Sequence, residues 1–320
     1  MRSLTAPMLI AAMAGSALLS GCAGGSQSNN SMVPGSDAVP LPRALPNGRV
    51  NPNDYEGLRD LYVGDLDGQA VKILKNKTYR EIGAITNGIQ NPNGMVLDRR
   101  GNLYVANDSV PSITEYAPNA TSPSFTYSLG MQSAISVSVD VHGNVYEADG
   151  TGYTEQYSQG INAPVAGCTP SGATGVTGVA VDAANDVFVS VITGGVNFIA
   201  EYPGGFGDCS HEKVLTAPVV FPYGISIDKN KDLLVADADN ARVDVIDPPY
   251  SSVTRTIGAG FLEPTTVTLS RNNKLAFATD FQVHDVFVIN YQTGAMITTL
   301  GSIYGLADPT AAVDGPNAVY

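Results

Sequence analysis

One short motif occurs five times in the chain, and the register of its copies limits the possible folds more than any other feature. The stretch "NPNGMVLDRRGNLYVAND" (residues 91–108) recurs as "SAISVSVDVHGNVYEADG", "VTGVAVDAANDVFVSVI", "PYGISIDKNKDLLVADAD" and "PTTVTLSRNNKLAFATDF". The residue closing the first apolar run falls at Asp98, Asp140, Asp182, Asp228 and Ser270, at intervals of 42, 42, 46 and 42. A second column lies nine residues further on, at Asn107, Asp149, Val191, Asp237 and Thr279. Continued outward, the two columns reach Asp65 in "LYVGDLDG" and Asp314 in "PTAAVDGPNAVY". Turn chemistry at fixed offsets with such a period marks a repeat architecture.

Each unit follows one grammar. A nearly continuous apolar run ("GVAV", "GISI") predicts a strand buried on both faces. An Asp-bearing turn follows, often with Gly-Asn, residues that tolerate positive φ and bond back to their own backbone. A β-branched and aromatic strand comes next ("NLYVA", "DVFVS"), then a variable loop and a third strand in "SITEYAP", "NFIAEYP" and "RVDVIDPP". A fourth segment ("SFTYSLG", "EKVLTA", "VTRTIG", "MITTLG") completes the unit. Four strands in each unit of this length predict an all-β fold, a six-bladed β-propeller of four-stranded antiparallel blades. Residues 61–83 supply three strands of one blade, and "DPTAAVD" near the C-terminus supplies its inner strand. Closing the ring with strands from both chain ends removes an exposed edge. "NAVY" (317–320) competes with Leu61–Asp65 for the second-strand slot, and the N-terminal copy is expected to win because it runs directly into its own third strand.

Three segments follow from this reading. Residues 1–22 form a targeting segment: Arg2, an apolar run too short to span a bilayer comfortably, then Leu19-Ser20-Gly21-Cys22. Those four residues resemble the lipobox of bacterial lipoproteins, which implies acylation of Cys22 and a lipid anchor in the membrane. Ala23, rather than Asp, after that Cys is what outer-membrane lipoproteins show, so a periplasmic or surface-exposed position in the cell envelope is expected. Residues 23–57, rich in Gly, Ser, Asn and Pro, read as a flexible tether with a reach of roughly 30 Å. Residues 58–320 are the propeller. Thirty acidic against 17 basic side chains give a net charge of −13, which excludes phosphate backbones as partners and leaves no role for nucleic acid.

The blade pattern P-x-G-x-x-V-D-x-x-G-N-x-Y-V-A-D resembles NHL-type repeats. The six-blade arrangement is similar to the group that holds SMP-30/gluconolactonases and streptogramin lyases. In such a blade the loop before the inner strand and the loop after the second strand share a face. Asp65, Asn93, Asn107, Asp108, Asp149, Tyr223, Asp237, Asp239 and Asp280 are therefore expected around one mouth of the central channel. A ring of this kind offers hard oxygen ligands to Ca²⁺, though no cofactor is required, and each Asp has the alternative of capping its own loop. The lactonase resemblance implies a metal held by a Glu, the Asn of a "PNG" turn and a later Asp. Pro92-Asn93-Gly94 fits the second element and Glu56-Gly57 faintly the first, while Tyr223 stands where the third is due. The lyase resemblance implies a His base. His284 follows a second strand, whereas His142 lies in a turn on the other face and His211 in a late-strand region. Cys168 and Cys209, 41 residues apart in adjacent units, are a candidate disulfide between blades, with two buried free thiols or a redox pair as the alternatives. The leading expectation is a tethered monomeric scaffold binding a protein, glycan or small molecule at a propeller face. A metal-dependent hydrolase and a lyase are the alternatives.

Overall fold

A computed structural model describes residues 60–258 and 260–315. The targeting segment with Cys22, the tether, Glu56-Gly57 and the "NAVY" strand lie outside the described residues. Among the described residues, twenty-four strands form six four-stranded antiparallel sheets arranged as a ring. Blade 1 runs Pro309–Asp314, Leu61–Asp65, Ala70–Leu74, Glu81–Ile85 from its inner to its outer edge. Blade 2 is Pro92–Leu97, Leu103–Asn107, Ser112–Tyr116, Phe125–Tyr127, and blade 3 is Ala134–Val139, Val145–Asp149, Tyr153–Tyr157, Pro164–Cys168. Blade 4 comprises Ala173–Val181, Val187–Thr193, Phe198–Tyr202 and Lys213–Val214. Blades 5 and 6 comprise Pro222–Ile227, Leu233–Asp237, Arg242–Ile246, Arg255–Ile257 and Pro264–Leu269, Leu275–Asp280, Asp285–Asn290, Met296–Leu300. In blade 1, Leu61 pairs with Asp314 and Tyr62 with Val313, so both ends of the described chain share one sheet.

Six apolar cores lie between successive blades, one for each junction. The core between blades 6 and 1 packs Phe277 and Val288 against Leu61 and Val63, which closes the ring as firmly as any internal junction. Blade 3 meets blade 4 through Tyr146, Val189 and Tyr202, with Phe206 edge-on to both tyrosines. At the same junction Cys168 and Cys209 form a disulfide with Cα atoms 5.6 Å apart. The bridge spans 41 residues, and a loop of that size predicts a loss of about 4 kcal/mol on removal. Reductant or Cys209→Ser should therefore lower the thermal midpoint by roughly 8–15 °C in a melting experiment, and equal midpoints with and without reductant would contradict this.

Burial is distributed differently from the sequence expectation. The second strands are the ones enclosed on both faces: Leu61–Asp65, Leu103–Asn107, Val145–Asp149 and Leu233–Asp237 are buried at every position. Inner strands such as Pro92–Leu97 and Pro264–Leu269 contain half-buried residues, because they are edge strands facing the channel. An edge strand offers unpaired backbone groups, and side-chain hydroxyls on neighbouring inner strands meet them. The amides of Val179 and Val181 donate to Ser136 and Ser138 hydroxyls, and Thr177 and Thr310 donate to the carbonyls of Pro222 and Pro92. Glycines on three inner strands, Gly94, Gly178 and Gly224, permit this close approach. A Cβ at Gly178 would stand 2.4 Å from the Tyr223 carbonyl oxygen, and one at Gly94 2.7 Å from the Ser136 Cα.

Candidate binding faces of the propeller

The first column builds the turns between inner and second strands. Asp98 Oδ1 accepts from the amides of Arg100 and Asn102, both at 2.8 Å, while Asn102 Nδ2 donates to Oδ2. Asp140 repeats all three bonds with His142 and Asn144, and Asp182 and Asp228 keep the two backbone bonds. Gly101 and Gly143, at φ of 88° and 90°, supply the left-handed residue that the turn needs. Ser270 accepts from Leu275 instead, because its turn is one residue longer. That insertion moves the second column of blade 6 from Thr279 to Asp280.

The second column has a different task from a ligand ring. Asp65, Asn107, Asp149, Asp237 and Asp280 are all 0 % exposed. Their oxygens clamp the loop that leads into the inner strand of the same blade. Asp149 accepts from the amides of Gln132 and Ser133 at 2.7 and 2.9 Å, and from the amide and hydroxyl of Thr151 in its own loop. Asp237 takes the amides of Val220 and Phe221, and Asp280 those of Leu262 and Glu263. Asp65 takes those of Ala307 and Asp308, and Asn107 that of Gln90. Blade 4, with Val191 in the column, lengthens its first hairpin so that Ala173 pairs with Thr193 and Val176 with Val191. Backbone pairing there replaces the missing carboxylate.

Asp108, Asp239, Asn93 and Tyr223 keep some exposure on the expected face. Asp108 accepts from the Ser133 hydroxyl at 2.7 Å. Burial, then the carboxylates of Asp108 and Glu263, pushes the Tyr223 phenol above its ordinary range. Tyr223 also stacks on Phe221, with centroids 6.3 Å apart. Among the described residues no three His, Cys, Asp or Glu side chains are grouped so as to hold a metal ion. His284 Nδ1 lies 2.9 Å from Asp308 Oδ1, and its half-exposed ring packs near Phe281. His142 stands in an inner-strand turn on the other face, and His211 pairs with Asp208 in an exposed 3-10 turn.

A cavity of about 510 Å³ occupies the channel itself. Its lining runs from Gly94, Ser136 and Gly224 to Arg99, Arg271 and Asp314, the turns opposite the expected mouth. Leu97, Val139, Val181, Ile227, Leu269 and Val313, one from each inner strand, form an aliphatic collar within it. Sequence reasoning missed this collar because each member reads as an ordinary strand residue. The recurring position immediately before the first-column residue was the available signal.

No family model matches the chain, and no curated protein matches it. Among solved structures it is similar to a chain in the "Crystal structure of Nidogen/Laminin Complex", with a TM-score of 0.66 and 16 % identity over 79 % of this chain and 97 % of that one. A likeness at this identity establishes the six-bladed propeller fold.

Proposed function

We propose that the chain is a non-catalytic binding scaffold of the NHL-repeat kind, held at a bacterial cell envelope by lipid on Cys22. One observation carries the scaffold reading. The acidic and amide residues that recur from blade to blade bind backbone amides, which leaves recognition to the loops that differ between blades. The solved neighbour is a propeller in a complex of two proteins, which supports a protein partner. A rigid ring with variable loops is a general platform, and the fold by itself dictates no chemistry.

The anchoring half is tested by feeding cells a labelled fatty acid. Label on the wild-type chain, with loss of both label and membrane association in Cys22→Ala, is the expected outcome. An unlabelled wild type refutes the anchor without touching the scaffold. The His284–Asp308 pair favours a lyase as second reading, since a carboxylate orients an imidazole for base catalysis. Turnover of a macrocyclic ester that disappears in His284→Ala would establish it.

A further inference from the structure

Resting on the scaffold reading, we infer that the face carrying the second-to-third-strand loops binds a cationic, apolar segment of a partner protein. Twelve large hydrophobic side chains are exposed among the described residues, and eight stand in loops of this one face. Every blade contributes at least one: Ile303, Val110, Leu129, Val196, Val220 and Leu262, in order around the ring. Phe281 and Val283 add to the share of blade 6. Exposed apolar groups gathered on one face mark an interaction surface rather than the usual scatter.

Charge names the kind of partner. The loops of this face hold Asp67, Asp108, Asp239, Glu263 and Asp308, and no Lys or Arg. The buried carboxylates of Asp149, Asp237 and Asp280 lie just beneath and deepen the negative field. Cations collect on the opposite face, where the inner-strand turns carry Arg99, Arg100, Lys229, Lys231, Arg271 and Lys274. Lys72 stands in a third strand against Asp65 and Glu81, and Arg242 in another against Asp244, so each of these cations is matched by carboxylates outside this count. An anionic membrane surface or an acidic ligand is repelled by this face. A segment interleaving Lys or Arg with Leu, Val or Phe matches both of its properties.

The test uses the full chain in detergent and three fluorescent peptides in which Leu and Phe alternate with Lys, with Gln or with Glu. Anisotropy titrations should show the Lys peptide bound about tenfold or more tightly than the Gln peptide, and the Glu peptide bound least. A Leu262→Ser/Phe281→Ser variant should weaken the Lys peptide about tenfold. A triple variant Asp108→Asn/Asp239→Asn/Glu263→Gln should also weaken it by about tenfold. The control Asp186→Asn/Asp208→Asn/Asp247→Asn, with the same net charge altered on opposite-face turns, should stay within about twofold. Absence of binding, equal binding of the three peptides, or equal loss in the two charge variants overturns the proposal. Self-association that buries this face, seen by sedimentation, overturns it as well. Binding lost only on changing Arg99 or Arg271 refutes this face while leaving a scaffold with its site elsewhere.

Discussion

An Asp149→Ala variant is expected to lose about 3–5 kcal/mol of stability, a drop of roughly 6–20 °C in thermal midpoint. Four donors converge on this buried carboxylate: the amides of Gln132, Ser133 and Thr151, and the Thr151 hydroxyl. Hydrogen bonds to a charged acceptor contribute about 1.5–3 kcal/mol each, and part of the loss is recovered when exposed loop amides turn to water. The effect should be structural and local to the loop that enters blade 3. Hydrogen exchange at Gln132 and Ser133 should rise well before the strands open. Asp149→Asn should fall between wild type and alanine, because blade 2 works with Asn107 holding one loop amide, that of Gln90. Asp239→Asn, in an exposed loop on the same face, should leave the midpoint within about 1 °C. Melting curves monitored by circular dichroism decide the matter. An Asp149→Ala midpoint indistinguishable from wild type would show that the clamp contributes nothing.

The contrast between Asp149 and Asp98 shows how far the sequence could be read. Asp98 bonds to residues two and four positions ahead, so its role is encoded within five residues and the turn is recognisable from the string alone. Asp149 bonds to amides 16 and 17 residues upstream, across the first hairpin of its blade. Its column was visible, but whether the carboxylate faces water or protein is a tertiary fact. The same limit applies to blade 6, where one extra turn residue moves the clamp from Thr279 to Asp280 and breaks the nine-residue offset between the two columns. Ring closure was legible because Leu61–Asp65 lacked an inner strand and ran directly into its own third strand, while Pro309–Asp314 supplied an inner strand with no third strand after it. The polarity of the two faces was half legible: the acidic loops were seen, and the apolar side chains between them were not, since isolated Val or Leu in a loop carries no signal until neighbouring blades bring them to one side.

Glu147 should behave in the opposite way to its neighbour two residues on. It points to the same side of the strand as Asp149, is 0 % exposed, and neither of its oxygens has a hydrogen-bond partner among the described residues. In the other blades this position, two residues before the clamp, holds Val63, Val105, Val189, Val235 and Ala278. Glu147→Val therefore installs the residue the fold uses elsewhere, and an expected gain of about 1–3 kcal/mol follows from removing an unsatisfied buried polar group. Burial foremost, then the charges of Asp149 and Glu155, raises the Glu147 carboxyl well above the ordinary carboxylate range. A carboxyl raised in the folded state favours folding below its unfolded value and loses that contribution as pH climbs toward the folded one. The advantage of the variant should accordingly widen from about pH 4.5 upward. A residual fall between about pH 4 and 6 should persist in both proteins, since burial pushes Asp244 up to about 6 even beside Arg242. Urea midpoints for wild type and Glu147→Val across pH 4–8 test this directly. Parallel curves, or a variant less stable than wild type, would refute the penalty assigned to the buried Glu147 carboxyl.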